Sequence, residues 1–317
     1  MRILVKNNGV TFKNVLLVLP TLNPGKTFDA WIDAFNKLNI WPGLVSVVDS
    51  SSTDGTQDKV KESGFALTVI NKEDFNHGAT RRRAVENNIN YEFIVFMTQD
   101  AFFYSVDSLG NLLRAFDDDK VAAICGRQLP SDTSGAVERH ARLFNYPSKS
   151  FVRMYEDRDK YGLKTAFLSN SFAAYRSEAL MSVGGFPDDV IFGEDMYVAA
   201  KLLQSGWKIA YASEACVVHS HNYTLIQEFK RYFDMGVFHS MEPWLRHEFG
   251  SAEREGKRFV ISEIRYLLKN AFWRIPEGLF RTVLRYLGFR LGLLENRLPG
   301  MIKRKLSMNS GFFRHKT

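Results

Sequence analysis

The sequence predicts an α/β protein in which a mostly parallel, doubly wound sheet is followed by a helical extension at the C-terminal end. Three observations predict it. Short apolar, β-rich runs recur along the first hundred residues, helical patterns fill the intervals, and the runs end in small hydroxylated residues, glycine and aspartate. Strands that are apolar on both faces and separated by helices belong to a parallel sheet covered by helices on either side.

Residues 14–20 (NVLLVLP) form the first expected strand, and residues 28–38 a helix with Trp31, Ala34, Phe35 and Leu38 at helical spacing. The second strand is LVSVVD (44–49). TQDKVKESG then reads as a short helix closed by Gly64, and FALTVIN (65–71) as the third strand. The fourth strand, FIVFMTQD, lies within EFIVFMTQDAFF (92–103) and ends in Asp100. An unpaired carboxylate has no place inside an apolar strand, because its desolvation is strongly unfavourable. Asp100 is therefore expected at the strand's exit.

Further along, GGFP (184–187) breaks the chain, and Glu194 and Asp195 open a helix with Met196, Val198 and Leu202 facing inward until Gly206. Acids in a first helical turn often serve only the helix dipole. Residues 223–249 read as an aromatic helix or helix pair in which Leu225, Phe229, Tyr232 and Phe233 pack on the sheet, with no site residue assigned. In the tail, Ile264, Leu267, Leu268, Ala271 and Phe272 fit an amphipathic helix. A second helix after Pro276 carries Leu279, Phe280, Val283, Leu284, Leu287 and Leu291, with Arg281 and Arg285 on another face.

Composition describes a folded protein, 45% hydrophobic and 24% charged over 317 residues. Two isolated cysteines, Cys125 and Cys216, make no disulfide framework, and no leader or spanning segment is visible, so a cytoplasmic setting is expected. The net charge of +7 is concentrated in the tail, where residues 251–317 carry 15 Lys and Arg against 5 Asp and Glu. That polarity suggests an anionic partner for the tail. Leucine and aromatic residues flanked by Arg and Lys suit a helix lying in an anionic membrane surface; a helical hairpin packed on the catalytic body or on another subunit is the alternative.

Ligands of doubly wound sheets bind at the carboxyl ends of the strands. Three such ends, PTLNPG, DSSSTDGT and TQDA, together suggest a nucleotide pocket. The chain has neither GxxxxGK[ST] nor GxGxxG, so phosphates must be held another way, and a divalent metal at Asp100 would do it.

The ordered set PTLNPG, VVDSSSTDGT, FNHGATRRR, TQDA, GGFP and GEDM resembles the inverting family 2 glycosyltransferases of the GT-A fold, over about residues 12–245. FNHGATR, TQDAFF and HSHNY resemble in particular the bacterial rhamnosyltransferases that build O-antigen or capsular polysaccharide from dTDP-L-rhamnose. The resemblance implies a catalytic domain at 12–245 and a basic amphipathic helical extension at 246–317. It implies a nucleotide-sugar donor held by Pro20, Thr21 and Asp49 at base and ribose, with Ser50 standing where a second acid is usual. Arg81, with His77 and Gly78, would lie near the diphosphate or sugar.

The usual DxD is here Thr98-Gln99-Asp100, so only Asp100 remains to ligate Mg²⁺ or Mn²⁺, and Gln99 is expected to reach a sugar or ribose hydroxyl. His219 and His221 are expected as further metal ligands or diphosphate contacts. Asp195 would be the general base and Glu194 would orient it or bind the acceptor. The implied acceptor is a lipid-linked or growing glycan at the cytoplasmic face of the inner membrane, and a homo-oligomer is possible. Two other classes match the sequence less well. A sugar-nucleotide nucleotidyltransferase should open with a glycine-rich basic loop, which PTLNPG lacks, and a nucleic-acid-binding protein should show a recognition motif, which is absent.

Overall fold

The computed structural model describes residues 5–7, 10–12, 14–219, 221–250 and 253–314. Strands β1 (Val5–Asn7) and β2 (Val10–Phe12) pair as a small antiparallel unit. A nine-stranded sheet holds β3 (Val15–Thr21), β4 (Val45–Asp49), β5 (Ala66–Val69), β6 (Phe93–Met97), β7 (Phe102–Phe103), β8 (Val121–Leu129), β9 (Phe151–Arg153), β10 (Phe172–Arg176) and β11 (Lys208–Val218). Its spatial order is β5-β4-β3-β6-β10-β8-β11-β7, with β9 also on β11.

All four expected strands form, the first three within two residues of their expected bounds; the fourth stops at Met97, three residues before Asp100. The half β5-β4-β3-β6 is wholly parallel. Beyond it β10 runs antiparallel to both β6 and β8, so the parallel character is confined to the first half and to the β8–β11 pair. This inversion lets the second half present loops of both senses to the same rim.

Helices α1 (Lys26–Asn36), α2 (Thr56–Glu62), α3 (His77–Glu86), α4 (Ser108–Leu113), α5 (Ala136–Asn145), α6 (Arg158–Tyr161), α7 (Ser177–Ser182) and α8 (Glu194–Gln204) connect the strands. After β11 come α9 (Leu225–Met241), α10 (Pro243–Phe249), α11 (Glu253–Asn270), α12 (Ile275–Gly292) and α13 (Gly300–Leu306). The sheet is buried on both faces, and β3 shows why a continuous apolar run was needed: Val15, Leu17 and Leu19 enter one core while Leu16 and Val18 enter the other. On the first face Trp31 of α1 stacks on Phe35 at 5.6 Å and meets Phe65 edge-on at 5.9 Å. Each such fully buried side chain stabilises the fold by roughly 1.5–3 kcal/mol.

The tail helices pack on the catalytic body. Helix α12 lies against α9 with backbones in contact: a Cβ on Gly292 would stand 2.1 Å from the Phe233 carbonyl oxygen, and one on Gly288 2.5 Å from that of Phe229. Arg281 and Arg285, expected on a separate face of the second tail helix, turn inward and each reaches Glu228 of α9 at 2.6 Å. Asp234 of α9 accepts from the Met308 and Asn309 backbone N–H groups, pinning the end of the chain. No helix among the described residues is long and apolar enough to cross a membrane.

Candidate active site

The Asp100 carboxylate lies where the fourth strand ends, and the chain's next step decides its partners. After β6 the chain crosses to the far edge of the sheet, where β7 pairs antiparallel with β11, Phe102 opposite Val218 and Phe103 opposite Val217. Continued by two residues, that register sets Asp100 across from His219 and His221. Asp100 Oδ1 lies 3.3 Å from His219 Nε2, and Oδ2 lies 3.4 Å from His221 Nδ1. One ligand atom from each of the three residues lies within 4.8 Å of the others.

The donor set fits a divalent cation. His219 Nδ1 is 2.8 Å from Gln128 Oε1. An amide oxygen only accepts, so Nδ1 carries the hydrogen and Nε2 keeps its lone pair toward Asp100. Two contacts hold that amide orientation: Arg142 Nη1 donates to Oε1, and Gln128 Nε2 donates to Ser169 Oγ at 2.9 Å. His219 Nε2 is buried and meets no hydrogen-bond donor among the described residues. Burial pushes both imidazoles below their ordinary pKa, His221 to about 4, so near neutrality both rings are uncharged and able to ligate. Lone pairs that converge without a donor between them are a site for a cation.

The second centre is the first turn of α8, entered through Gly193 at φ 79°. Adjacent acids here have opposite environments. Glu194 is turned into the protein, where Oε1 accepts from Arg81 Nη1 at 2.9 Å and from Asn170 Nδ2 at 3.1 Å. Asp195 is partly open, its Oδ2 accepting from the Asn170 backbone N–H at 3.2 Å. Tyr175 donates its hydroxyl to Asn170 Oδ1 at 2.7 Å, which fixes that side chain between the two acids. Desolvation in the cleft wall and the neighbouring Glu194 charge raise the Asp195 carboxyl from 3.8 to about 7. Burial would raise Glu194 as well, but Arg81, His77 and the hydrogen bond from Asn170 together hold its pKa below the ordinary value. Two carboxyls pushed apart in this way suit one fixed charge and one proton acceptor.

Asp100, His219, His221, Asp195, Glu194, His77 and Arg81 all line a single cleft of about 2050 Å³. Several expected residues do other work. Arg81, expected near a diphosphate, is 4% exposed and committed to Glu194. Gly78, expected in the same role, gives its N–H to the Asn76 cap and is required by packing, since a Cβ there would lie 1.8 Å from the Pro187 carbonyl oxygen. Gln99 was expected to meet a sugar or ribose hydroxyl; instead both ends of its amide engage the Leu22 backbone, at 2.8 and 3.3 Å, tying the ends of β3 and β6 together. Asp49 is fully buried and accepts from Thr21, Ser52 and Gln57, so it organises the loop after β4 from within. Pro20 and Thr21 stand at the end of β3 as expected.

Polar residues on the cleft wall that were not singled out from sequence include Gln128, Arg142, Asn170 and Arg231. Arg231 of α9 donates to Tyr223 Oη at 3.4 Å and lies over the Phe192 and Tyr223 rings, with no carboxylate at ion-pair distance among the described residues. Tyr223 in turn stacks on His221 at 4.9 Å. Gln128 carried a readable signal, one amide in the apolar run of β8, which raises the same question as Asp100 at the end of β6. Arg231 carried less, because a cation in an aromatic helix also fits a solvated face.

A family model for glycosyl transferase family group 2 matches residues 93–294. The O-antigen chain rhamnosyltransferase WbaN of Salmonella anatum is 45% identical over 298 residues, covering 94% of this chain and 95% of that protein. The O-antigen chain rhamnosyltransferase RfbN of Salmonella typhimurium is 44% identical over 300 residues, covering 94% and 96%. Among solved structures, the mannosyltransferase PcManGT of Pyrobaculum calidifontis, in complex with GDP-Man and Mn²⁺, superposes with a TM-score of 0.56 at 19% identity, over 95% of this chain and 84% of that one. Both the fold class and the family read from the motifs are thereby borne out: this chain is a glycosyltransferase of the GT-A fold and belongs to glycosyl transferase family group 2.

Proposed function

We propose that the protein transfers L-rhamnose, with inversion, from dTDP-L-rhamnose to a hydroxyl of a lipid-linked or growing O-antigen-type glycan, using Mg²⁺ or Mn²⁺. It would act at the cytoplasmic face of the inner membrane. One observation carries the reading: a proton acceptor, Asp195, and a cation site, Asp100 with His219 and His221, share the walls of one cleft. Rhamnose as the transferred sugar is supported by the names of the two relatives, which are more than 40% identical over nearly their whole length.

Asp195 accepts the proton of the acceptor hydroxyl as its oxygen bonds to the anomeric carbon and the bond from that carbon to the diphosphate breaks. General-base assistance of this kind contributes about 10² to 10⁴-fold. A divalent ion held by Asp100, His219 and His221 would supply electrostatic stabilisation of the departing diphosphate. Arg231 and Arg142, cationic groups on the same wall, add positive charge where negative charge develops. Arg81 acts at one remove, keeping Glu194 ionised so that its charge holds Asp195 basic.

The test is a donor panel, dTDP-rhamnose against UDP- and GDP-sugars, scored for transfer to a rhamnose-accepting glycolipid with and without chelator. Preferred use of dTDP-rhamnose, abolished by chelator and by Asp100→Ala, is expected. Equal use of all donors would remove the rhamnosyl reading, and full activity in both Asp100→Ala and Asp195→Asn would remove the site.

A further inference from the structure

The outward face of α12 is apolar. Leu279, Phe280, Val283, Tyr286 and Leu287 recur at helical spacing on the side away from α9, and the corner before the helix presents Phe272 and Trp273. These seven residues are between 44% and 67% exposed. A surface helix normally buries its apolar stripe and exposes its charges. Here the order is inverted, because Arg281 and Arg285 occupy the inner face in ion pairs with Glu228. A continuous exposed patch of this kind marks an interaction site.

The charge around the stripe selects the partner. Arg265 and Lys269 of α11, Arg290 of α12, and Arg304 and Lys305 of α13 are exposed on the same tail helices. No unpaired acid offsets them among described residues 255–314, where Glu263 and Glu295 are buried and Glu255 and Glu277 are held in ion pairs. A second copy docked through the same face would bring like charges together across a two-fold axis. An anionic bilayer meets both features, taking the aromatic and leucine side chains at its interface and the cations at its headgroups.

The patch also has a fixed relation to the active site. Arg274, directly after Trp273, and Glu277 in the first turn of α12 line the cleft that holds Asp100 and Asp195. We infer that the outward face of α12, with the Phe272–Trp273 corner, docks on an anionic membrane surface, and that the cleft opens to that surface beside Arg274. A lipid-borne acceptor would then enter the cleft from the bilayer side, a consequence that rests on the transfer reading above, whereas the docking itself does not.

Co-sedimentation of the full chain with vesicles tests it. The protein is expected to pellet with phosphatidylglycerol-containing vesicles, less with phosphatidylcholine alone, and less as salt is raised. Phe280→Ser/Val283→Ser and Phe272→Ser/Trp273→Ser should each weaken vesicle binding about tenfold or more, with metal-dependent donor hydrolysis and melting temperature kept. Failure of the wild type to bind anionic vesicles, or wild-type binding by both double variants, overturns the inference. So does a concentration-dependent dimer, seen by sedimentation velocity and abolished by the same variants, in a protein that ignores vesicles. Vesicle binding without any sugar transfer would instead count against the proposed reaction alone.

Discussion

Asp100 Oδ1 and His219 Nε2 face each other at 3.3 Å, and the hydrogen bond on the far side of the imidazole leaves no proton between them. Near neutrality two acceptors are thus held in contact by the fold, which suits a cation and little else.

That relationship makes Gln128 a positioning residue. Gln128→Leu should free the imidazole to turn and should weaken Mn²⁺ binding about 10- to 100-fold, the usual effect of losing the hydrogen-bond partner of a ligating histidine. Titration of free Mn²⁺ by electron paramagnetic resonance reads this without any turnover. Unchanged Mn²⁺ affinity would mean that His219 does not depend on Gln128.

A pH profile should report Asp195. Its carboxyl is raised from 3.8 to about 7, so the basic form predominates only above that value and kcat/KM should fall about tenfold per unit below it. Glu194→Gln removes the neighbouring negative charge and should move this acid limb to lower pH. A limb that stays in place would show that Glu194 does not set the Asp195 pKa.

Arg81 and Glu194 form a buried pair, their side chains 4% and 8% exposed. Arg81→Met strands a buried carboxylate and should cost roughly 3–5 kcal/mol of stability. Arg81→Met/Glu194→Gln should recover much of that loss in chemical denaturation, while recovering none of the activity that depends on the Glu194 charge.

Arg231→Ala should lower transfer by about 10²-fold, in the range seen when one preorganised donor to a developing negative charge is removed. Mn²⁺ affinity should be little changed, because Arg231 is no ligand. Loss of metal binding in this variant would assign Arg231 to the cation site instead.

The glycine contact between α9 and α12 predicts a structural phenotype. In Gly292→Val the side chain would meet the Phe233 carbonyl oxygen at 2.1 Å from its first carbon, which helix separation alone can relieve. Overpacking of this kind costs about 1–3 kcal/mol. Limited proteolysis should cut within 275–292 in the variant and spare it in the wild type.

The alternation of apolar runs and helical patterns, the acid at the end of EFIVFMTQD and the opening of α8 by Glu194 and Asp195 were all legible in the sequence, because strand and helix periodicity and cap position are local properties of the chain. Local pattern could not say that β10 inverts, that β7 crosses to β11, or that Arg281 and Arg285 point inward. It also could not distinguish Arg81 as a ligand contact from Arg81 as the partner of Glu194, 113 residues away. So the chain alone determined which residues stand at strand ends and helix starts, and the family resemblance of its motifs is what implied a metal and a base. Tertiary structure decided which of them share a cleft and which are consumed by one another. Hydrogen bonds and ion pairs are made between side chains that pairing and packing bring within about 3 Å, and sequence separation carries no information about that distance.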